Sequence, residues 1–289
     1  MDIYLIILSV IAVIILLSNV FRGKESLMKL DMVCCVIFGA MFILFPGLAS
    51  AHEQTNSSDG VFLHMLRASG CVLIGIAVVF YQVQQSADAT VYVVLMMSRL
   101  VTCTLAAVCG FYYRSQSSTP TDIGLLYIFF HIGFGVLYIY FLLQSREWGG
   151  HTQLDTNVNL HLRIDFFVTL VFGIFWYAFP EWVLGFQVSI NVTPLQEYAT
   201  MLFAAFMIGS AIMSSHAPGF ISEHDQRAQF QGRILQNTIL LPAMIYAQVY
   251  YGTWTVYHIY FGMVGCLMWT INALVGFMSP NELEEVKLK

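Results

Sequence analysis

Nine runs of apolar residues, each close to the length of helix that crosses a bilayer, dominate this sequence. A hydrocarbon core of about 30 Å needs roughly 20 apolar residues of helix, because backbone groups in lipid must satisfy one another. The runs cover about 3–20, 31–50, 61–82, 89–113, 122–143, 164–180, 196–216, 232–251 and 254–278. The eighth is the least clean: polar residues from Ser222 to Gln231 lead into it and Pro242 interrupts it. The sixth is short unless it runs on past Pro180. The 289 residues are 58% hydrophobic and only 10% charged, whereas a soluble domain carries about 25% charge to coat its solvated faces. Composition therefore excludes a soluble globule, a disordered chain and a basic nucleic-acid binder, and no nucleic-acid partner is expected. The fold class is an all-α polytopic membrane protein, with membrane lipids as its first partners.

The first run opens with Asp2 rather than a basic segment and has no small-x-small cleavage site. It reads as a retained anchor over 1–26, not as a secretory leader. Basic residues set the orientation. Arg22, Lys24, Lys29, Arg146, Arg163, Arg227, Arg233, Lys287 and Lys289 fall on one side of a nine-span chain, and only Arg114 lies in a loop on the other. Positive-inside bias places the N-terminus in the lumen or outside the cell and the C-terminus in the cytoplasm. The sequons at Asn56 and Asn191 both fall in outer loops, so they are candidate glycosylation sites and support the same orientation. The tail, Lys287-Leu288-Lys289, sets a lysine near a retrieval position without matching the dilysine pattern, and the endoplasmic reticulum is favoured over the plasma membrane.

Sliding the sequence against itself by 134 residues brings three helices into register without a gap. Lys29-Leu30-Asp31 meets Arg163-Ile164-Asp165, Phe38-Gly39 meets Phe172-Gly173, and Phe45-Pro46 meets Phe179-Pro180. Gly75-x-Ala77 then meets Gly209-x-Ala211, and Arg99 meets Arg233. In the fourth helix the match needs a shift, with Tyr127 against Tyr257. Two charges recurring at matched offsets weigh more than shared Phe or Leu, because each is costly in lipid. The expected body is one anchor plus two parallel four-helix repeats, 27–146 and 163–279. A cytoplasmic linker, 147–162, joins them and a tail, 280–289, follows. An even number of spans per repeat makes the two halves related by an axis along the membrane normal.

Asp31 lies 15 residues before Pro46, and Arg99 lies 14 before Tyr113 on a helix running the same way. At 1.5 Å per residue both sit roughly 21–23 Å below the outer boundary. Two equivalent ion pairs are expected, Asp31–Arg99 and Asp165–Arg233, serving as internal struts; the sharper alternative is a polar vestibule or gate. Arg67, with His64 one turn before it, has no twin. It snorkels to the interface or touches an anionic headgroup or polar ligand. His131, near mid-membrane, is expected to bond a neighbouring helix, with proton relay as the alternative. Cys71-xxx-Gly75 and Ala205-xxx-Gly209 are small-residue stripes for close helix packing, either at the seam between repeats or on a docking face for a partner.

The six cysteines form no CxxC pair, so no thiolate metal site or redox cofactor is expected. His151, His161, His216 and His224, with Glu223 and Asp225, read as solvated loop residues, not metal ligands, since no HExxH or i,i+4 His pair is present. No P-loop, nucleophile elbow or dinucleotide turn occurs. Trp148, Trp182 and Trp254 fit an interfacial belt, while Phe175-Trp176-Tyr177 is placed inward.

Phe38-Gly39, Phe45-Pro46, Arg67, Gly70 and Arg99, with their partial twins, resemble the small DoxX-like four-helix membrane proteins and their uncharacterised relatives, here in tandem. The resemblance covers about 29–146 and 163–278, and the second copy departs from it with Met201 and Ala204 in place of Arg67 and Gly70. It implies a four-helix bundle per repeat and, because that family is functionally mixed, no activity. The leading functional expectation is a non-enzymatic membrane subunit acting in assembly, scaffolding or lipid handling beside other membrane subunits. The alternatives are a lipid or small-solute transporter with its pathway between the repeats, and an intramembrane enzyme of lipid metabolism.

Overall fold

A computed structural model of the chain describes residues 21–48, 59–116, 122–145 and 156–280, with Ile14 and Ser18. The described apolar runs are all helical: α1 (Lys24–Leu44), α2 (Gly60–Val83), α3 (Ala89–Gln116), α4 (Asp122–Gln144), α5 (Asn157–Ala178), α6 (Pro180–Gln187), α7 (Pro194–His216), α8 (Glu223–Tyr250) and α9 (Val264–Met278). A π-helical turn, His258–Met263, leads into α9. Seven helices are long and apolar enough to cross a membrane: α1 to α5, α7, and the π turn continued by α9. The remaining two expected spans differ for separate reasons. The anchor at 3–20 lies almost wholly outside the described residues. The eighth run is the 28-residue α8, too polar to qualify, because Gln226, Gln229, Arg233, Gln236 and Asn237 are buried along it against other helices.

Two boundaries depart from expectation. The linker drawn over 147–162 is already α5 from Asn157 onward, where the Thr156 side chain caps the helix by accepting from the Asn159 N–H at 3.2 Å. The sixth run does not continue through Pro180. Proline excludes the preceding residue from the helical region, so Phe179 turns out at φ −133, ψ 51, and Pro180 begins the separate α6. Phe45 before Pro46 does the same at φ −130, ψ 48.

The centre belongs to α2 and α7. Their apolar windows are 83% and 78% buried, against 33% for α1 and 28% for the last span, so the outer helices face lipid. α1 packs on α2 and α5 on α7; α4 packs on α3 and α9 on α8; across the middle α3 lies against α7, and α2 lies against both α8 and α7. These crossings are close because one partner is glycine. A methyl on Gly232 would stand 2.5 Å from the Gly75 carbonyl oxygen, and one on Gly209 would stand 1.8 Å from Thr102 Oγ1. Cys71, Gly75, Ala205 and Gly209 are thus buried inside the chain, and the docking-face alternative for these stripes is withdrawn.

Candidate functional site

Burial of charge comes first, because it fixes the helices that frame everything else. Arg99 donates from Nε to Asp31 Oδ2 at 2.6 Å and from Nη2 to Oδ1 at 2.9 Å. Arg233 addresses Asp165 in the same two-pronged way, at 3.0 Å for both bonds. All four side chains are buried, where such a pair holds only if further hydrogen bonds satisfy the remaining atoms. The last helix of each set supplies one: the Tyr138 hydroxyl donates to Asp31 Oδ2, and the Trp269 indole donates to Asp165 Oδ1 at 2.6 Å. Ser214 donates to Asp165 at 2.5 Å, Arg233 Nη1 to Gln236 at 2.9 Å, and the guanidinium of Arg233 lies 4.1 Å from the Trp269 ring centre. Arg99 Nη1, by contrast, has no hydrogen-bond partner.

Above Trp269 opens a cleft between α2, α5, α7, α8 and α9, with about 690 Å³ of empty space including its mouth. Its walls are apolar and largely aromatic: Val168, Phe172, Trp176, Phe203, Met207, Leu240, Met244 and Phe261. The far end is different. His64, Gln187, Trp254 and His258 meet there, all buried. The His64 ring centre lies 4.9 Å from that of Trp254 and 5.2 Å from that of His258, and Trp254 and His258 are 4.1 Å apart.

Local structure accounts for each position. Asp59 caps α2 by accepting from the Phe62 N–H, and it also accepts from Gln196, which closes the capping box of α7; the two central helices are pinned together near His64. The loops after α6 and α8 pair as a single antiparallel bridge, Val188 with Trp254. Ser189 N–H donates to Thr253 at 2.9 Å and Thr255 N–H to Gln187 at 2.8 Å, which roofs the cleft and sets both Gln187 and Trp254 in it. His258 opens the π turn, a deformation that recurs at functional sites in helices. Gly265 lies at the mouth, where an added methyl would touch nothing within 4 Å.

Four buried polar atoms at this end have no partner: His64 Nδ1, Gln187 Oε1, Trp254 Nε1 and His258 Nε2. Each such atom costs about 1–3 kcal/mol relative to a satisfied one, and native proteins carry few. Four such atoms, unpartnered among the described residues, around one open space make it the candidate site.

Several expectations are corrected here. Trp254 is no belt residue but a wall of the cleft, while Trp182 is exposed on α6 and Trp148 lies outside the described residues. Of Phe175-Trp176-Tyr177, Phe175 faces outward, Trp176 lines the cleft and Tyr177 donates to the Leu105 carbonyl at 2.8 Å. Arg67 donates to the Tyr251 hydroxyl at 2.7 Å and stacks over Tyr246, so it stands beside the cleft without lining it. His131 is buried with neither ring nitrogen hydrogen-bonded, packed edge-on against Tyr127 at 4.4 Å; the expected bond to a neighbouring helix is not made, and nothing in the structure explains its choice over an apolar residue. His161 is not in a loop but on α5, 2.8 Å from Asn272; His216 and His224 bond elsewhere, and among the described residues no group of three metal-binding side chains forms. His151 and Asn56 lie outside the described residues; Asn191 is exposed.

At the opposite end of the bundle Asp225 accepts from the Ser86 hydroxyl at 2.7 Å, and Asp88 accepts from the Ile221 N–H at 3.0 Å, tying the α2–α3 loop to the start of α8. Burial raises the Asp225 carboxyl above its ordinary value, with the Ser86 bond working the other way.

Seven long apolar helices among the described residues, with two Asp–Arg pairs buried between them, define a multi-pass helical membrane protein by length and composition. The chain belongs to the DUF8292 family: the family model, described as a domain of unknown function, matches residues 29–278, which takes in both ion pairs and the whole cleft. No curated protein and no solved structure matches it.

Proposed function

We propose that this is a non-enzymatic lipid-handling protein of the membrane, holding one amphiphilic molecule in the cleft between α2, α5, α7, α8 and α9. The carrying observation is an apolar, aromatic-walled space that ends in four buried polar atoms without partners. Pockets of this build, apolar with a few convergent polar groups, are the usual form of small-molecule sites. A solute pathway fits less well, because the walls are apolar and the floor is closed by Trp269, itself bonded to Asp165. Catalysis also fits less well: two imidazoles and the Cys266 thiol line the cleft, the thiol turned to the Asn237 carbonyl, but among the described residues neither a carboxylate nor a hydroxyl does.

The architecture we propose is an anchor at 3–20 followed by two parallel four-helix repeats, as in the DoxX-like resemblance. Three features support duplication: the paired Asp–Arg contacts, the Phe-Pro breaks with near-identical dihedrals, and the exchange of packing partners between α2 with α8 and α7 with α3. The polar end of the cleft then faces the lumen or cell exterior, with the endoplasmic reticulum favoured. Any partner subunit meets surfaces other than the small-residue stripes, which are occupied within the chain. Native mass spectrometry of the full chain from mild detergent is the test, and it is expected to show one retained lipid per chain. A chain that carries no lipid but a stoichiometric second protein would replace lipid handling with scaffolding.

A further inference from the structure

We infer that the cleft selects a neutral lipid whose head is a hydroxyl, held between the Trp254 indole, the His258 imidazole and the Gln187 amide. This assignment rests on the lipid-handling reading above and adds the chemistry of the head.

The donors and acceptors can be assigned one by one. Gln248 donates from Nε2 to the Trp254 carbonyl at 3.0 Å, which leaves its Oε1 facing His258 Nδ1 at 2.9 Å. His258 Nδ1 therefore carries a proton. Among the described residues no carboxylate lines the cleft to pair an imidazolium, so Nε2 presents a bare lone pair to the empty space. Gln187 donates from Nε2 to the Val183 carbonyl at 3.2 Å, leaving Oε1 as a second free acceptor. Trp254 Nε1–H can only donate. The site thus offers one fixed donor and two fixed acceptors, with His64 Nδ1 able to take either role.

A hydroxyl matches that set, accepting from Trp254 while donating to His258 or Gln187. A carboxylate or phosphate does not: it only accepts, so it would face two lone pairs, and among the described residues no cation lines the cleft. Arg67, the nearest candidate counter-charge, is committed to the Tyr251 hydroxyl and lies over the Tyr246 ring. An ammonium would meet the Trp254 N–H. Sterols and diacylglycerols share the required head and differ in body, so both are probed.

The test is photo-crosslinking of the full chain in nanodiscs with four probes: a photoreactive sterol with its 3-hydroxyl, the 3-keto form of that sterol, a photoreactive diacylglycerol, and a photoreactive fatty acid at pH 8. The hydroxyl sterol or the diacylglycerol is expected to label peptides bearing His64, Trp254 or His258 about tenfold more than the ketone or the fatty acid. The warrant is that a site built to hydrogen-bond a hydroxyl leaves its own groups unpaired against an analogue that lacks it. Labelling by the sterol alone, or by the diacylglycerol alone, supports the same head on a different body. His258→Phe combined with Gln187→Leu removes both acceptors and should abolish the preference for hydroxyl over ketone while labelling persists. Gln187→Leu alone, at the end of the short α6, serves where the double variant fails to fold and should narrow the preference. Gly265→Leu narrows the mouth and should lower labelling by every probe. If the ketone or the fatty acid labels as well as the hydroxyl probes, the head-group assignment is lost and the lipid cleft stands. If no probe labels these peptides, both are lost.

Discussion

Arg99 and Arg233 occupy the same role with unequal company. Every nitrogen of Arg233 that meets the interior has a partner among Asp165, Gln236, Thr169 and Ser210, whereas Arg99 leaves Nη1 unpaired. Removing one member of a buried pair strands the other, at about 3–5 kcal/mol. Asp31→Ala and Arg99→Ala should therefore each lower the melting temperature in detergent sharply, while the double variant loses less than the sum of the two; additive losses would show that the pair is not coupled. Trp269→Phe deletes a donor to a charged acceptor, worth about 1.5–3 kcal/mol, and should destabilise the chain by at least that much, since the smaller ring also leaves buried space unfilled. These charges were legible in the sequence because each is too costly in lipid to stand there alone. Tyr138 and Trp269 were not, since an aromatic residue in an apolar helix carries no such signal. Nor was the cleft: Gln187 and His258 acquire meaning only when a two-loop bridge and a π turn bring them beside His64.

At the scale of helices, proximity is decided by single side chains. Gly209→Ala forces a methyl to within 1.8 Å of Thr102 Oγ1 and 2.9 Å of the Ser98 carbonyl. Overpacking of this kind costs about 1–3 kcal/mol; adding Thr102→Ala should restore part of it, as read by thermal melting, and no recovery would mean that α3 and α7 are not held at this crossing. The start of α8 carries a pH dependence of definite sign. Because the Asp225 carboxyl is raised in the folded chain, its protonated form is favoured there. Its unfavourable contribution is absent below the ordinary carboxylate range and appears as pH climbs from that range through the raised value. Asp225→Asn should accordingly stabilise the protein at pH 7 and lose that advantage near pH 3.5; an advantage unchanged at low pH would contradict the assignment. α8 also shows where periodicity misleads. Several of the polar residues that made the eighth span look imperfect are buried, and one bonds to a neighbouring helix, Gln229 to Ser214 at 2.9 Å.

For the whole molecule, the two ends of the bundle make the proposed orientation testable. Asn191 lies close to the Val188–Trp254 bridge that roofs the polar end of the cleft, and Ser222 lies at the opposite end, beside Asp225. The native thiols are buried apart from the half-buried Cys34. Asn191→Cys should react with an impermeant maleimide on sealed vesicles of lumen-out sidedness, and Ser222→Cys only after permeabilisation; the opposite pattern would invert the chain. Membrane-length helices and their close crossings were readable from hydropathy and small-residue spacing, because lipid allows so few solutions; of the nine spans expected, seven qualify among the described residues, the first lying almost wholly outside them and the eighth being too polar. What hydropathy could not show is the cleft that α2 shares with α5, α7, α8 and α9.

The π turn suggests how that came about on the duplicated architecture proposed above. Its wider hydrogen-bond ring accommodates one more residue than an α-helix of equal rise. Before it, Tyr127 matches Tyr257 at a displacement of 130; after it, Tyr138 matches Trp269 at 131. Past the slip, Gly265 borders open space where the sister copy keeps the buried ring of Phe134. On that architecture, a single added codon together with one large-to-small exchange would open the space beside Gly265 that the ring of Phe134 fills in the first repeat.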